Sequence, residues 1–103
     1  MGPEVEWVPK TINIIEKEIT DVTSRTAVVT WVTDFESWSR VQVMHQESVS
    51  NTFLDPTLTR AHRVEITGLE PSTFYLLVIQ SANNRGAASF ETGAELIFQT
   101  PAN

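Results

Sequence analysis

The stretch that decides the fold is GLEPSTFY at residues 68–75. It has the composition of a tight turn, which Pro71 stiffens by fixing φ. The turn leads Tyr75 into a segment in which Tyr75, Leu77 and Ile79 alternate with outward-facing residues, the period of a β-strand. Trp31 lies further upstream in a segment with the same pattern. We therefore predict an antiparallel β-sandwich with both aromatic rings between its two layers.

Working outward from this turn, the rest of the chain shows short alternating segments about ten residues apart and no helical period, which is typical of a sandwich. A seven-stranded immunoglobulin-like topology is predicted. Loops are expected at residues 34–37, at Asp55–Pro56 and at 83–86, where polar residues, proline or glycine interrupt the pattern. The predicted strands are 12–22 with a break near residues 16–18, 25–33, 39–45, a weak edge strand at 48–54, 62–67, 75–82 and 94–100.

Length and composition limit the function classes. The 103 residues suit one domain, predicted over residues 12–103, after a linker or N-terminal arm at residues 1–11. A net charge of −6 disfavours binding to nucleic acid and to anionic membranes, which need clustered lysine and arginine. The absence of cysteine excludes disulfides and thiolate metal sites. No apolar run approaches the roughly 20 residues of a membrane helix, and we expect no membrane insertion.

Three segments, in this order and spacing, carry a resemblance to a known family. The first is residues 19–24 leading into 27–31, which ends at Trp31; the second is the turn at 68–75; the third is 83–86 followed by the closing FQTP at 98–101. Over residues 12–101 the chain resembles a fibronectin type III domain. In that family the second segment forms the corner between strands E and F.

Within the family, residues 33–41 look like the version found in bacterial and archaeal exported proteins. Residues 62–69 are also similar to the N-terminal sandwich of purple acid phosphatases, which implies only an accessory module. Two features depart from relatives: residues 34–38 replace the usual Glu-Pro-Ser loop, and the third strand ends Met44-His45-Gln46 instead of an aromatic-Gly pair. The adhesive Arg-Gly-Asp tripeptide is absent, because Ala87 follows Gly86.

Four residues are predicted to be structurally decisive: Trp31, Leu69, Pro71 and Tyr75. Trp31 is expected to be the largest contributor to the core. The Tyr75 ring belongs in the core, but its hydroxyl needs a hydrogen-bond partner there. A backbone group near Leu69 or Glu70 is the expected partner, as in the tyrosine corner of sandwich domains.

Nothing in the sequence supports catalysis, and we predict no enzyme activity, no cofactor and no metal. The two histidines, His45 and His62, fall on different predicted strands without metal-binding spacing, and we expect surface or strand-end positions for both. There is no nucleophile elbow and no phosphate-binding glycine loop.

Four aromatic residues form the candidate interaction surface. In the family topology the loops carrying Phe35, Trp38 and Phe90 meet at one pole, and the arm carrying Trp7 should enter there. Exposed aromatics with polar neighbours are typical of binding surfaces. Alternatively, these rings cap the core or clasp the N-terminal arm, or Trp38 stacks on a carbohydrate.

The preferred hypothesis is a non-catalytic interaction or spacer module of a larger exported protein, located outside the cell or in its envelope. Its partners would be neighbouring domains or another protein, with a glycan as a further option, and we expect a monomer. The alternative is an accessory domain of a hydrolase, either a metallophosphoesterase or a polysaccharide-degrading enzyme. A third possibility is an independent ligand binder that uses the aromatic pole.

Overall fold

The protein is an antiparallel β-structure built from one curled sheet. The computed structural model describes the backbone over residues 12–85 and 88–102 and the side chains over 12–82 and 94–102. The strand order is β1-β2-β4-β5, with β3 paired to β2, and every pairing is antiparallel. The described residues form five strands: β1 (Ile14–Thr20), β2 (Ala27–His45), β3 (Ser48–Ile66), β4 (Phe74–Arg85) and β5 (Ala88–Gln99).

The strand count of seven is not what the described residues show, because β2 and β3 are each longer than predicted. They form one long hairpin, paired from Ala27 opposite Ile66 down to His45 opposite Ser48. The predicted loop at 34–37 and the turn at Asp55–Pro56 lie within these strands. Register shifts on β2 between Val32 and Ser37, and again before Ser39, interrupt the ladder there, as expected where a strand bends. Polar composition indicated loops, but it cannot show that the opposite strand continues to pair.

The second hairpin also extends beyond the prediction. Its register runs from Phe74 opposite Gln99 to Arg85 opposite Ala88. The predicted turn at 83–86 is therefore wrong for residues 83–85, which belong to β4. Gly86 lies outside the described residues. The last strand begins at Ala88 instead of residue 94, because pairing with β4 overrides the weak β-propensity of its small and polar residues.

The core lies between the two halves of the curled sheet. Trp31 comes from the first half of β2, Val41 and Val43 from its second half, and Leu77 from β4. Contact between residues from both halves makes the curled sheet a two-layer sandwich, which confirms the predicted fold class. The buried cluster consists of Ala27, Val29, Trp31, Val41, Val43, Val64, Ile66, Leu69, Tyr75, Leu77 and Ile79.

The corner between β3 and β4 closes one end of this core. The backbone amide of Glu70 donates to the Tyr75 hydroxyl oxygen at 2.8 Å, which confirms the predicted hydrogen bond. Thr100 Oγ1 accepts from the Thr73 amide at 3.0 Å and donates to the Glu70 carbonyl at 2.6 Å. Gly68 has a φ of 78°, a conformation that glycine adopts at little cost. The corner therefore fixes the polar end of Tyr75 while its ring stays buried.

Candidate functional site

The bend in β2 lies at the other end of the core from the corner between β3 and β4 (the tyrosine corner), and we call residues 33–39 the bend segment. Asn13, just before β1, is hydrogen-bonded to Asp34 at the start of the bend segment. The Asn13 amide and Nδ2 donate to the Asp34 carboxylate at 2.8 and 2.9 Å. Slight burial raises the pKa of Asp34, but the hydrogen bonds from Asn13 and from the backbone amides of Asp34 and Phe35 together outweigh this and hold the pKa below its usual value. β1 therefore begins at the end of the core where β2 bends.

A buried polar cluster lies beneath the bend segment, centred on His62 of β3. The His62 side chain is only 2% exposed and stacks on Trp31, with ring centroids 4.9 Å apart and an interplanar angle of 5°. Its Nδ1 lies 2.7 Å from Ser39 Oγ, and its Nε2 lies 2.9 Å from Thr33 Oγ1. Ser37 Oγ is a more distant neighbour of Nε2, at 3.4 Å. Both ring nitrogens are thus satisfied by hydroxyl groups of the bend segment.

The hydrogen-bond geometry defines which ring nitrogen carries the proton. Thr33 has one hydroxyl hydrogen, and its shortest carbonyl acceptor is that of Phe35 at 2.8 Å. When the Thr33 hydrogen is assigned to the Phe35 carbonyl, Thr33 Oγ1 accepts from His62, and this assignment places the ring proton on Nε2. Nδ1 is then an acceptor, and Ser39 donates to it. The network is complete only with a neutral imidazole.

Burial agrees with this assignment. Desolvation lowers the pKa of His62 from 6.5 to about 4, and the negative charge of Asp55 offsets only part of that effect. The expectation of a surface or strand-end histidine is therefore wrong for His62. The alternation along β3 indicates the burial of His62, since His62 lies on the same inward face as Val64 and Ile66.

Trp31 completes the cluster from the other side of the core. Its indole Nε1 donates to Ser81 Oγ on β4 at 2.8 Å, a buried hydrogen bond across the sandwich. The largest core side chain is thus held by a hydrogen bond as well as by packing. Trp31, Leu69 and Tyr75 are all buried, while Pro71 in the corner is half-buried.

The Ser39–His62 contact has the spacing of a nucleophile and its base. However, Ser39 is 3% exposed and His62 is 2% exposed, so a substrate has no route to the hydroxyl. The cluster therefore acts as a structural support for the bend segment. Within the described residues, no group of three or more His, Cys, Asp or Glu side chains could hold a metal ion. The same residues contain no helix long and apolar enough to cross a bilayer.

Of the four residues predicted as an interaction surface, the structure describes the side chains of Phe35 and Trp38. Phe35 is 40% exposed, and its carbonyl accepts hydrogen bonds from Thr33 and, at 3.4 Å, from Ser37. Trp38 is half-buried, and the Arg40 guanidinium lies 5.8 Å from the centroid of its ring. This cation–π contact occupies one face of the indole, leaving less of it for a stacking carbohydrate. Trp7 and the Phe90 side chain lie outside the described residues.

Comparisons with known proteins identify the family to which the chain belongs. The family model for the fibronectin type III domain matches residues 5–96. The chain belongs to this family, whose members are generally non-catalytic modules for interaction or spacing. Among curated proteins, no sequence matches the chain.

The solved structures described here support the fold alone, since each is below 25% identity. A fibronectin type III domain from the human KIAA0970 protein shares 18% identity, with a TM-score of 0.59, over 87% of this chain and 74% of that one. A myokine structure shares 16% identity, with a TM-score of 0.67, over 91% and 99%. A computationally redesigned β-sandwich protein shares 22% identity, with a TM-score of 0.65, over 86% and 94%.

Proposed function

We propose that the chain is a non-catalytic interaction and spacer module of a larger exported protein, and that the bend segment presents Phe35 to a partner. The observation that carries this proposal is the way Phe35 is held. Its ring is exposed, yet its backbone carbonyl accepts a hydrogen bond from the Thr33 hydroxyl, which is itself hydrogen-bonded to buried His62. A binding residue on a supported backbone loses little conformational entropy on contact, which favours affinity.

The spacer part of the proposal depends on the fold. A sandwich with a buried core and paired strands is stiff compared with a flexible linker. Its two ends are different surfaces: the bend segment, where β1 begins, and the tyrosine corner, where β5 ends. Such a module holds whatever precedes and follows it at a fixed separation.

The larger-protein and export parts are tested in the cells that make the protein. An antibody raised against the isolated domain is used on secreted, envelope and cytosolic fractions, and the reactive species is identified by mass spectrometry. A species longer than 103 residues in the secreted or envelope fraction supports the proposal. A 103-residue species confined to the cytosol contradicts it. The sequence of the longer species also shows whether a hydrolase domain adjoins the module.

The role of Phe35 is tested by site-specific photocrosslinking in the same cells. A benzoylphenylalanine residue is placed at Phe35 and, as a control, at Glu65, an exposed position on β3. We expect a discrete crosslinked product from position 35 and none from position 65. Equal products at both positions, or none at either, would remove the support for a partner at the bend segment.

A further inference from the structure

A second surface, separate from the bend segment, has the features of a docking site. It lies on the outer face of the sheet made by the second half of β2 with β3, β4 and β5. Met44 pairs with Val49 on β3 and with Leu76 on β4, and Leu76 pairs with Ile97 on β5. Paired residues of antiparallel strands project from the same face. The register therefore places four apolar side chains in one row across four strands.

This row is open to solvent. Ile97 is 74% exposed and Val49 is 50% exposed, while Met44 and Leu76 are half-buried. Phe74, two residues before Leu76 on the same face of β4, is 64% exposed. Met44, Phe74, Leu76 and Ile97 line a surface groove of about 370 Å³. An exposed contiguous apolar patch of this kind is uncommon on a monomer unless it makes contacts.

Acidic residues border the groove. Glu47 lines it at the tip of the β2–β3 hairpin, and Glu95 lies two residues before Ile97 on the same face of β5. The whole chain carries a net charge of −6. An apolar row with an acidic border is complementary to an apolar segment flanked by basic residues.

The same charges argue against two other occupants. In a symmetric dimer through this face, each copy would contribute Glu47 and Glu95 to the contact, so like charges would be brought together. An anionic lipid surface would be repelled for the same reason. We infer that the groove formed by Met44, Phe74, Leu76 and Ile97 binds a segment of another protein in which apolar side chains are flanked by lysine or arginine.

The inference is tested by selection from a random 12-residue peptide library displayed on phage, with the folded chain as bait. Counter-selection uses the Phe74→Thr/Ile97→Thr variant, which changes two exposed side chains and keeps β-propensity. We expect enriched peptides that combine apolar residues with Lys or Arg. A synthetic copy of the most enriched peptide should bind the variant at least about tenfold more weakly than the parent.

Matched variants separate the groove from general apolar exposure. Ile15→Thr/Leu54→Thr removes two similarly exposed apolar side chains that do not line the groove and should leave peptide affinity unchanged. Glu47→Gln/Glu95→Gln should weaken binding and flatten its salt dependence. Thermal unfolding of each variant verifies that it is folded. A Phe35→Ala variant, which tests the bend segment, should bind the peptide normally, so failure of one surface is distinguishable from failure of the other.

Three results would overturn the inference. The first is enrichment that does not depend on Phe74 and Ile97. The second is enrichment of acidic or uncharged peptides. The third is concentration-dependent dimerisation in sedimentation velocity that the Phe74→Thr/Ile97→Thr variant abolishes, because it would assign the groove to a second copy of the chain.

Discussion

The two ends of the core are filled in different ways. At the tyrosine corner, the Tyr75 ring is buried in the apolar cluster, with its centroid 5.9 Å from that of the Phe98 ring, and the hydroxyl groups of Tyr75 and Thr100 hydrogen-bond to backbone groups. Under the bend segment, Trp31 and His62 are packed with hydroxyl groups that hydrogen-bond to them: Thr33, Ser37, Ser39 and Ser81.

The two ends therefore differ in the interactions that stabilise them. At the corner, hydroxyl groups bond to backbone amides and carbonyls, beside apolar packing that stabilises the fold without regard to direction. The polar cluster requires each donor to meet its acceptor, and a single protonation event disturbs several bonds at once. Both ends should therefore respond to lost volume and to lost hydrogen bonds, and the bend end should also respond to pH through His62.

The largest effect is expected from Trp31→Ala, which breaks the bend end. Loss of a fully buried indole should destabilise the domain by about 3–5 kcal/mol, a large part of the ~5–15 kcal/mol typical of a whole domain. Chemical denaturation followed by circular dichroism measures this. Trp31→Phe is the matched variant, because it keeps a ring against His62 but removes the hydrogen bond to Ser81. It should lower the free energy of unfolding by less than Trp31→Ala does. A loss below about 1 kcal/mol for Trp31→Ala would contradict the packing described here.

The next effect is the acid response of His62. Its pKa in the folded protein is about 4, against 6.5 for the ordinary group. The unfolded chain therefore binds more protons between these values, and stability falls as pH drops from 6.5 towards 4. The full contribution is present above pH 6.5, and its loss amounts to at most roughly 3 kcal/mol.

His62→Gln isolates this contribution, because the carboxylates that titrate in the same range are common to both proteins. The pH slope of the unfolding free energy should be flatter in the variant between pH 6.5 and 4. NMR of the His62 ring gives a direct reading, with a midpoint near 4 expected. A midpoint close to 6.5 would show that the imidazole is not enclosed as described.

A smaller effect is expected at the corner from Tyr75→Phe, which leaves the ring in place and removes the acceptor of the Glu70 amide. Loss of a partner for a half-buried donor should cost about 1–3 kcal/mol. Unlike the His62 effect, this loss should be the same at pH 7 and pH 5. Identical denaturation midpoints for variant and parent would contradict the role of the hydroxyl.

The smallest effect is a gain in stability, expected at the tip of the β2–β3 hairpin. Gln46 and Glu47 have φ of 53° and 68°, the left-handed region that non-glycine residues enter at a cost. A two-residue hairpin turn of this kind favours glycine at its second position. Glu47→Gly should stabilise the protein by about 0.5–1 kcal/mol, whereas Glu47→Ala should not. Thermal denaturation compares the two, and equal melting temperatures would argue against strain in the turn.

Much of the corner could be predicted from the sequence because its determinants are local. The turn residues and the alternation that follows them place Tyr75 inward, and a buried hydroxyl requires a nearby backbone partner. The departure from the family pattern at Met44-His45-Gln46 was also visible in the sequence, next to the strained turn at Gln46 and Glu47.

The bend end could be predicted less well. Residues 34–37 have the composition of a loop, yet they belong to β2, because pairing with β3 resumes at Ser37 opposite Thr59 after the interruption. The candidate residue Phe35 could be named, but the hydroxyl cluster that holds its carbonyl could not. The signal for His62 was present in the alternation of β3, but histidine is intermediate between buried and exposed residue types, so its identity alone did not indicate burial.

By itself, the sequence determined which residues face inward along each strand, since side-chain alternation is a property of the extended backbone and needs no partner. It also determined the family, through the spacing of Trp31, the corner and the closing strand. The tertiary structure alone decided that Thr33, Ser39, His62 and Trp31 meet. These residues come from different strands or from two sides of a bend, and their hydrogen bonds depend on distances that form only when the sheet curls upon itself.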